Sequence, residues 1–139
     1  MAVMKIASAT RNALAETVRQ LIDGGGGPGT IKFYSGLMPD HTWDELSNQT
    51  LLATLTFSHP CAELPIGGVL DFLPIADDPE TLASGVVAWA RIADGDGNTI
   101  LDLDVTGPNE GGMIEINSTR IVRGGPFRLR DFAINFPAG

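Results

Sequence analysis

Asp94-Gly95-Asp96-Gly97-Asn98 sets three oxygen-bearing side chains at alternate positions, as a calcium-binding loop begins. An EF-hand loop continues with Gly sixth and a bidentate Glu twelfth. Counted from Asp94 those places hold Thr99 and Val105, and no helical pattern flanks the run. Asp-Gly and Gly-Asn are hairpin-turn dipeptides, so the run reads as an acidic turn. His41, His59 and Cys61 are the soft-metal ligands of the chain. Structural zinc takes four ligands in close pairs, and these three do not supply them. A Cys–His nucleophile needs an electropositive surround that favours the thiolate. The composition around Cys61 is acidic, so a half-buried cysteine at a strand end is expected. Asp77-Asp78 and Asp102/Asp104 are carboxylate pairs of the kind used in acid–base catalysis. The first lies in a Pro-flanked loop and the second on the polar side of an alternating strand, so solvated faces account for both. The glycines of 24–27 follow a helical pattern instead of opening one, and no Lys-Ser/Thr pair comes after them, unlike a phosphate loop. With no Gly-x-Ser-x-Gly or dinucleotide fingerprint, the expectation is no catalytic residue, no cofactor and no metal.

Charge is where the sequence is uneven. The net charge of −8 disfavours a nucleic-acid partner, because phosphate-backbone binding needs clustered cations. Residues 71–115 hold ten acids and one base, Arg91. Residues 116–139 hold four arginines, Arg120, Arg123, Arg128 and Arg130, against the single acid Asp131. Segregated charge orients docking between chains. These four arginines are therefore candidate interface residues. Trp43 joins them as the lone Trp of the polar stretch 39–49, where it either pins the loop to the body or meets a partner. The tendency of aromatics to bury favours pinning.

One domain suits 139 residues, and 43% hydrophobic residues can form a core without a staple. The single cysteine excludes an internal disulfide. Residues 4–23 have helical spacing, with Leu14, Val18, Leu21 and Ile22 on one face and Ser8 or Thr10 as N-cap. The glycine-rich stretch 24–29 stops the helix, offers a left-handed C-cap and serves as a linker. Beyond it the period becomes two. Strands are expected at 30–34, 51–57, 69–73, 86–93, 100–105, 113–117, 120–123 and 127–136. Leu51, Ala53, Leu55 and Phe57 face inward, as do Leu101, Leu103 and Val105. In the last strand Phe127 and Leu129 have one parity, Phe132, Ile134 and Phe136 the other, which demands a bulge or bend near Arg130 and Asp131. No helical pattern lies between strands. The expected fold class is mainly β: an antiparallel, jelly-roll-like β-sandwich over 30–139, preceded by one N-terminal α-helix over 1–23 and the linker 24–29. No apolar run approaches the ~18 residues of a membrane span, and residues 1–5 lack a signal-peptide layout. A soluble acidic domain without a membrane partner is expected.

Several segments fall in a familiar order. Arg11-Asn12-Ala13-Leu14-Ala15 precedes the glycine-rich break. Thr30-Ile31-Lys32-Phe33-Tyr34-Ser35-Gly36-Leu37-Met38-Pro39 and Leu51-Leu52-Ala53-Thr54-Leu55-Thr56-Phe57-Ser58 follow it. Ala88-Trp89-Ala90-Arg91-Ile92 with its Asp-Gly turn and Ile116-Asn117-Ser118-Thr119 complete the order. Over nearly its whole length the chain resembles a family of small virion proteins of tailed bacteriophages. The acidic, aromatic stretch 39–49 and the basic stretch 123–130 depart from the family's pattern, so no contacts carry over there. The resemblance implies no active-site residues. It implies a non-enzymatic structural component of the virion, assembled in the bacterial host cytoplasm. A head decoration (cement) protein against the major capsid protein is favoured over a neck or tail component. Segregated charge and the short helix point further to a repeated subunit, a homo-oligomer. A carbohydrate-binding β-sandwich module, with Trp43 and the acidic loops as a sugar platform, is the alternative of another class.

Overall fold

In the computed structural model, which describes residues 3–129 and 131–136, helix α1 spans Ser8–Asp23. Its N-cap is Ala7, extended and without a side-chain cap bond, so neither Ser8 nor Thr10 caps it. The buried stripe consists of Ala15 and Ile22 with Val18 partly covered, whereas Leu14 and Leu21 are 44% and 52% exposed. The helix is thus rotated from the face its leucines suggest. Three polar anchors set the rotation. Arg11 Nε donates to the Phe136 carbonyl at 2.6 Å, the Gly68 amide to Asn12 Oδ1 at 2.6 Å, and the Cys61 amide to Asp23 Oδ1 at 3.0 Å. The two bonds that involve a charged side chain, of Arg11 and Asp23, are worth about 1.5–3 kcal/mol each, comparable with burying a leucine. Gly68 has φ +78°, and a β-carbon there would press on the Arg11 side chain.

The stretch 24–29 is neither left-handed cap nor free linker. Gly24 has φ −81° with its amide on the Leu21 carbonyl. The Gly26 amide donates to Asp96 Oδ1 at 3.0 Å, and a side chain at Gly25 or Gly95 would collide with the opposing loop's backbone. The glycines permit close approach of two loops, not freedom.

Nine strands follow among the described residues: β1 Thr30–Tyr34, β2 Leu51–Thr56, β3 Val69–Asp71, β4 Gly85–Val86, β5 Trp89–Ala93, β6 Thr99–Thr106, β7 Ile114–Glu115, β8 Arg120–Ile121 and β9 Ala133–Asn135. The protein is mainly β with one helix. Five strands form a sheet in the order β2-β1-β5-β6-β7, while β3–β9 and β4–β8 form two-stranded sheets. The β6–β7 pair is parallel, a departure from the antiparallel expectation; the connection is a loop, 107–113, without a crossover helix. The expected strand 86–93 divides into β4 and β5, which join different sheets. The expected strand 127–136 divides into a bridge between Phe127 and Asp78, and β9. Phe127, Leu129, Phe132 and Ile134 are all buried, as the parity switch requires. Arg130, where the bend was placed, lies outside the described residues.

A register shift between Phe33 and Tyr34 buries Leu52 completely and leaves Leu51 half-covered, reversing the expected alternation at that point. The outer edge of β2 is covered by the segment 76–82. The Ala76 amide donates to the Thr56 carbonyl, the Leu82 amide to the Leu52 carbonyl, and the Thr54 amide to Asp78 Oδ2. This segment reaches 124–127 through paired backbone bonds of Asp78 with Phe127 and of Thr81 with Gly124 and Gly125. The large sheet therefore curls towards the β4–β8 ribbon. Ile31, Phe33, Leu55 and Ile92 fill the core on one side, and the Phe127 ring meets Phe33 edge-on at 4.7 Å. The other side carries a polar-aromatic stack: Tyr34 on Trp89 at 4.6 Å, with the Arg91 guanidinium 5.2 Å from the Trp89 ring centre.

Candidate interaction surface

The structure uses the chemically suggestive residues to hold backbone. Asp94 accepts from the Asp96 and Asn98 amides at 3.0 and 2.9 Å, and bonds from Asn98 hold its carboxyl below the usual range. Asp78 accepts from the Thr54 and Glu80 amides, and Asp104 from the Met113 amide. Asp102 overturns its expected solvated setting: its side chain is 5% exposed and binds Arg91 through two bonds of 2.8 and 3.0 Å. Among the described residues, no group of three or more His, Cys, Asp or Glu is placed to hold a metal ion.

Cys61 is fully buried, beyond the half-burial expected, and lies outside the strands, with its sulfur 3.9 Å from the Arg19 carbonyl oxygen. Burial, then the Asp23 carboxylate, pushes its thiol up to about 12, which opposes nucleophile chemistry near neutrality. His59, mostly exposed, faces Asp23 at 3.7 Å. A pH effect follows. The folded thiol titrates above the unfolded one, so its stabilising contribution is complete below about pH 8.5 and is lost towards the folded value. The unfolding free energy of the wild type should fall relative to that of Cys61→Ala above about pH 9, by up to about 1.4 kcal/mol per pH unit. Parallel stability curves from urea titrations across that range would contradict the assignment.

The candidate arginines converge more usefully. In the β4–β8 ribbon, Gly85 faces Ile121 and Val86 faces Arg120. Directly opposed residues share a face. Ile121 therefore points inward, buried, and Val86 and Arg120 point out. Val122 follows on the outer side at 70% exposure, with Leu82 at 58% on the adjoining segment. Arg123 is exposed next to Val122, its amide held by Ser84 Oγ at 2.9 Å. Among the described residues neither Arg120 nor Arg123 has an ion-pair partner. Arg128 pairs with Asp77 at 2.9 Å, but both side chains are about half exposed, so the pair contributes little. Arg120 and Arg128 line one groove of about 490 Å³ between 116–122 and 125–128, with Ile116, Ile121 and Phe127 beneath. Arginine is enriched at contact surfaces, and here it stands beside exposed apolar side chains that a partner would cover.

Trp43 does not pin its loop: it is 78% exposed and stacks on His41 at 4.5 Å. Polar bonds shape the loop instead. Asp44 Oδ2 accepts from the His41 amide, the Asp44 amide returns to the His41 carbonyl, and Gln49 Nε2 donates to the Leu37 carbonyl at 2.6 Å. With these bonds made locally, the loop needs no buried aromatic anchor. The spacing of His41 and Asp44 is the sequence signal for this turn, since Asp side chains bond nearby backbone.

Comparison with protein-family models, curated proteins and solved structures finds no match. No helix among the described residues is long and apolar enough to cross a membrane.

Proposed function

We propose that this chain is a non-enzymatic structural subunit of a tailed-phage virion, a capsid decoration protein that docks on the major capsid protein. In this reading its curled sheet and two short sheets act as the layers of a jelly-roll-like β-sandwich. The resemblance of the sequence to small virion proteins supplies the particle. The observation that carries a contact role is the β4–β8 ribbon, where Val86, Val122, Arg120 and Arg123 stand exposed together. A binding assay on particles stripped of the protein tests the reading. Replacing Arg120, Arg123 and Arg128 together by Gln should weaken occupancy at least about tenfold, equivalent to about 1.4 kcal/mol. Raised salt should act in the same direction by screening. Unchanged occupancy would reject these arginines as part of the contacts that hold the protein on the particle. Binding to neck or tail pieces, and not to heads, would move the protein within the particle.

Exposed Trp43 favours one second reading, the carbohydrate-binding module, because the indole face not stacked on His41 can stack on a sugar ring. Oligosaccharide titration separates the two: saturable binding abolished by Trp43→Ala supports the module, and none is expected for a virion subunit.

A further inference from the structure

We infer that the chain pairs with a second copy of itself about a two-fold axis, the loop 37–46 of each copy seated on the other's β4–β8 ribbon. The inference rests on the subunit reading above and deepens it: the ribbon holds two copies together, and the dimer, not the lone chain, is the unit that docks on the particle. Two patches meet the requirement. The loop offers Trp43, with the acids Asp40, Asp44 and Glu45 flanking it in the sequence. The ribbon offers Val86, Val122, Arg120 and Arg123. Opposite charge on the two patches gives orientation, and an exposed Trp opposite arginine is the pairing enriched at contact centres.

A two-fold axis makes the contact reciprocal, and the placement of the two patches suits it. A β-carbon at Gly85 would lie 3.1 Å from the Leu52 side chain and 3.8 Å from Ser35 Cβ. The strands that bear the loop, β1 before it and β2 after it, thus approach the start of β4. Loop and ribbon therefore rise from neighbouring parts of one end of the molecule. Among the described residues, the loop acids form no ion pair with the ribbon arginines of their own chain. Adjacent patches of opposite sign that leave each other unpaired suit an isologous interface, in which loop meets ribbon twice. The loop's own hydrogen bonds hold its shape before contact, which lowers the ordering cost of association.

Sedimentation velocity on the whole chain over a range of concentrations tests this, with two charge-reversed variants at exposed positions. Arg120→Glu/Arg123→Glu reverses the ribbon, and Asp40→Lys/Glu45→Lys reverses the loop while leaving Asp44 to its structural bonds. Each variant alone should dimerise at least about tenfold more weakly than the wild type. Mixed one to one, they should form a heterodimer, because both loop–ribbon contacts then join opposite charges. That recovery also shows that both variants are folded. Trp43→Ala should weaken the wild-type dimer by a similar factor. A wild type that stays monomeric at every concentration overturns the inference, as does a mixture that fails to recover. A monomer that still occupies particles would sink the dimer and leave the virion reading standing. A dimer that never binds particles would do the reverse.

Discussion

Asp102→Ala should lower the unfolding free energy by about 3–5 kcal/mol, the cost of stranding a buried cation. Arg91 is held between the Asp102 carboxylate and the Trp89 ring, with both charged side chains largely covered. Hydrogen bonding to Asp102, the largest cause, raises the Arg91 pKa; with that partner removed the guanidinium still stays charged, because arginine is protonated far above neutrality on its own. Removing both charges tells a different story. Arg91→Met with Asp102→Leu exchanges the pair for packed apolar groups, and such exchanges are often neutral or stabilising. The double variant should therefore be more stable than Asp102→Ala by urea titration. A loss below about 1 kcal/mol in Asp102→Ala, the range of surface pairs, would show that the pair is solvated in solution.

Phe127→Ala should cost about 3–5 kcal/mol, as large aromatic truncations in cores do. Phe127 is 7% exposed, stacks edge-on against Phe33 and exchanges two backbone bonds with Asp78. It also lies under the groove shared by Arg120 and Arg128. The truncation should thus weaken docking as well as folding. Phe127→Leu keeps most of the volume and should cost less than about 1.5 kcal/mol while leaving docking intact. Equal losses in the two variants would argue that the ring is not packed in the core.

Legibility of the fold followed the length of each pattern. β1, with Ile31 and Phe33 inward, and the acidic turn 94–98 were readable because alternation and turn chemistry are local signals. The parity switch between Leu129 and Phe132 was readable for the same reason, since a side-chain period of two tolerates no silent slip. The division of 86–93 was not. Alternation runs unbroken through Val87 and Ala88, and only the pairing of β4 with β8 and of β5 with β1 separates them. The rotation of α1 depended on partners at positions 61, 68 and 136, remote in sequence. The parallel β6–β7 pairing left no mark in either strand, one of which has two residues.

At the candidate surface, counting charges found Arg120, Arg123 and Arg128, because segregation is visible in any linear tally. It missed Leu82, Val86 and Val122. Short strands give no alternation from which to tell an outward valine from an inward one, as Val86 and Val87 show at 51% and 2% exposure. Trp43 was singled out for its isolation, yet its exposure followed from hydrogen bonds within the loop, which outweigh the usual pull of an aromatic towards the core.

The measurement that bears most directly on the proposed virion role is the number of copies of this chain in purified particles of a tailed phage proposed to encode it, obtained by quantitative mass spectrometry against the major capsid protein. A decoration subunit predicts a fixed ratio to the capsid protein, retained through gradient purification and reduced by the arginine replacements. Absence of the chain from purified particles, or a ratio that falls steadily with washing, would contradict it.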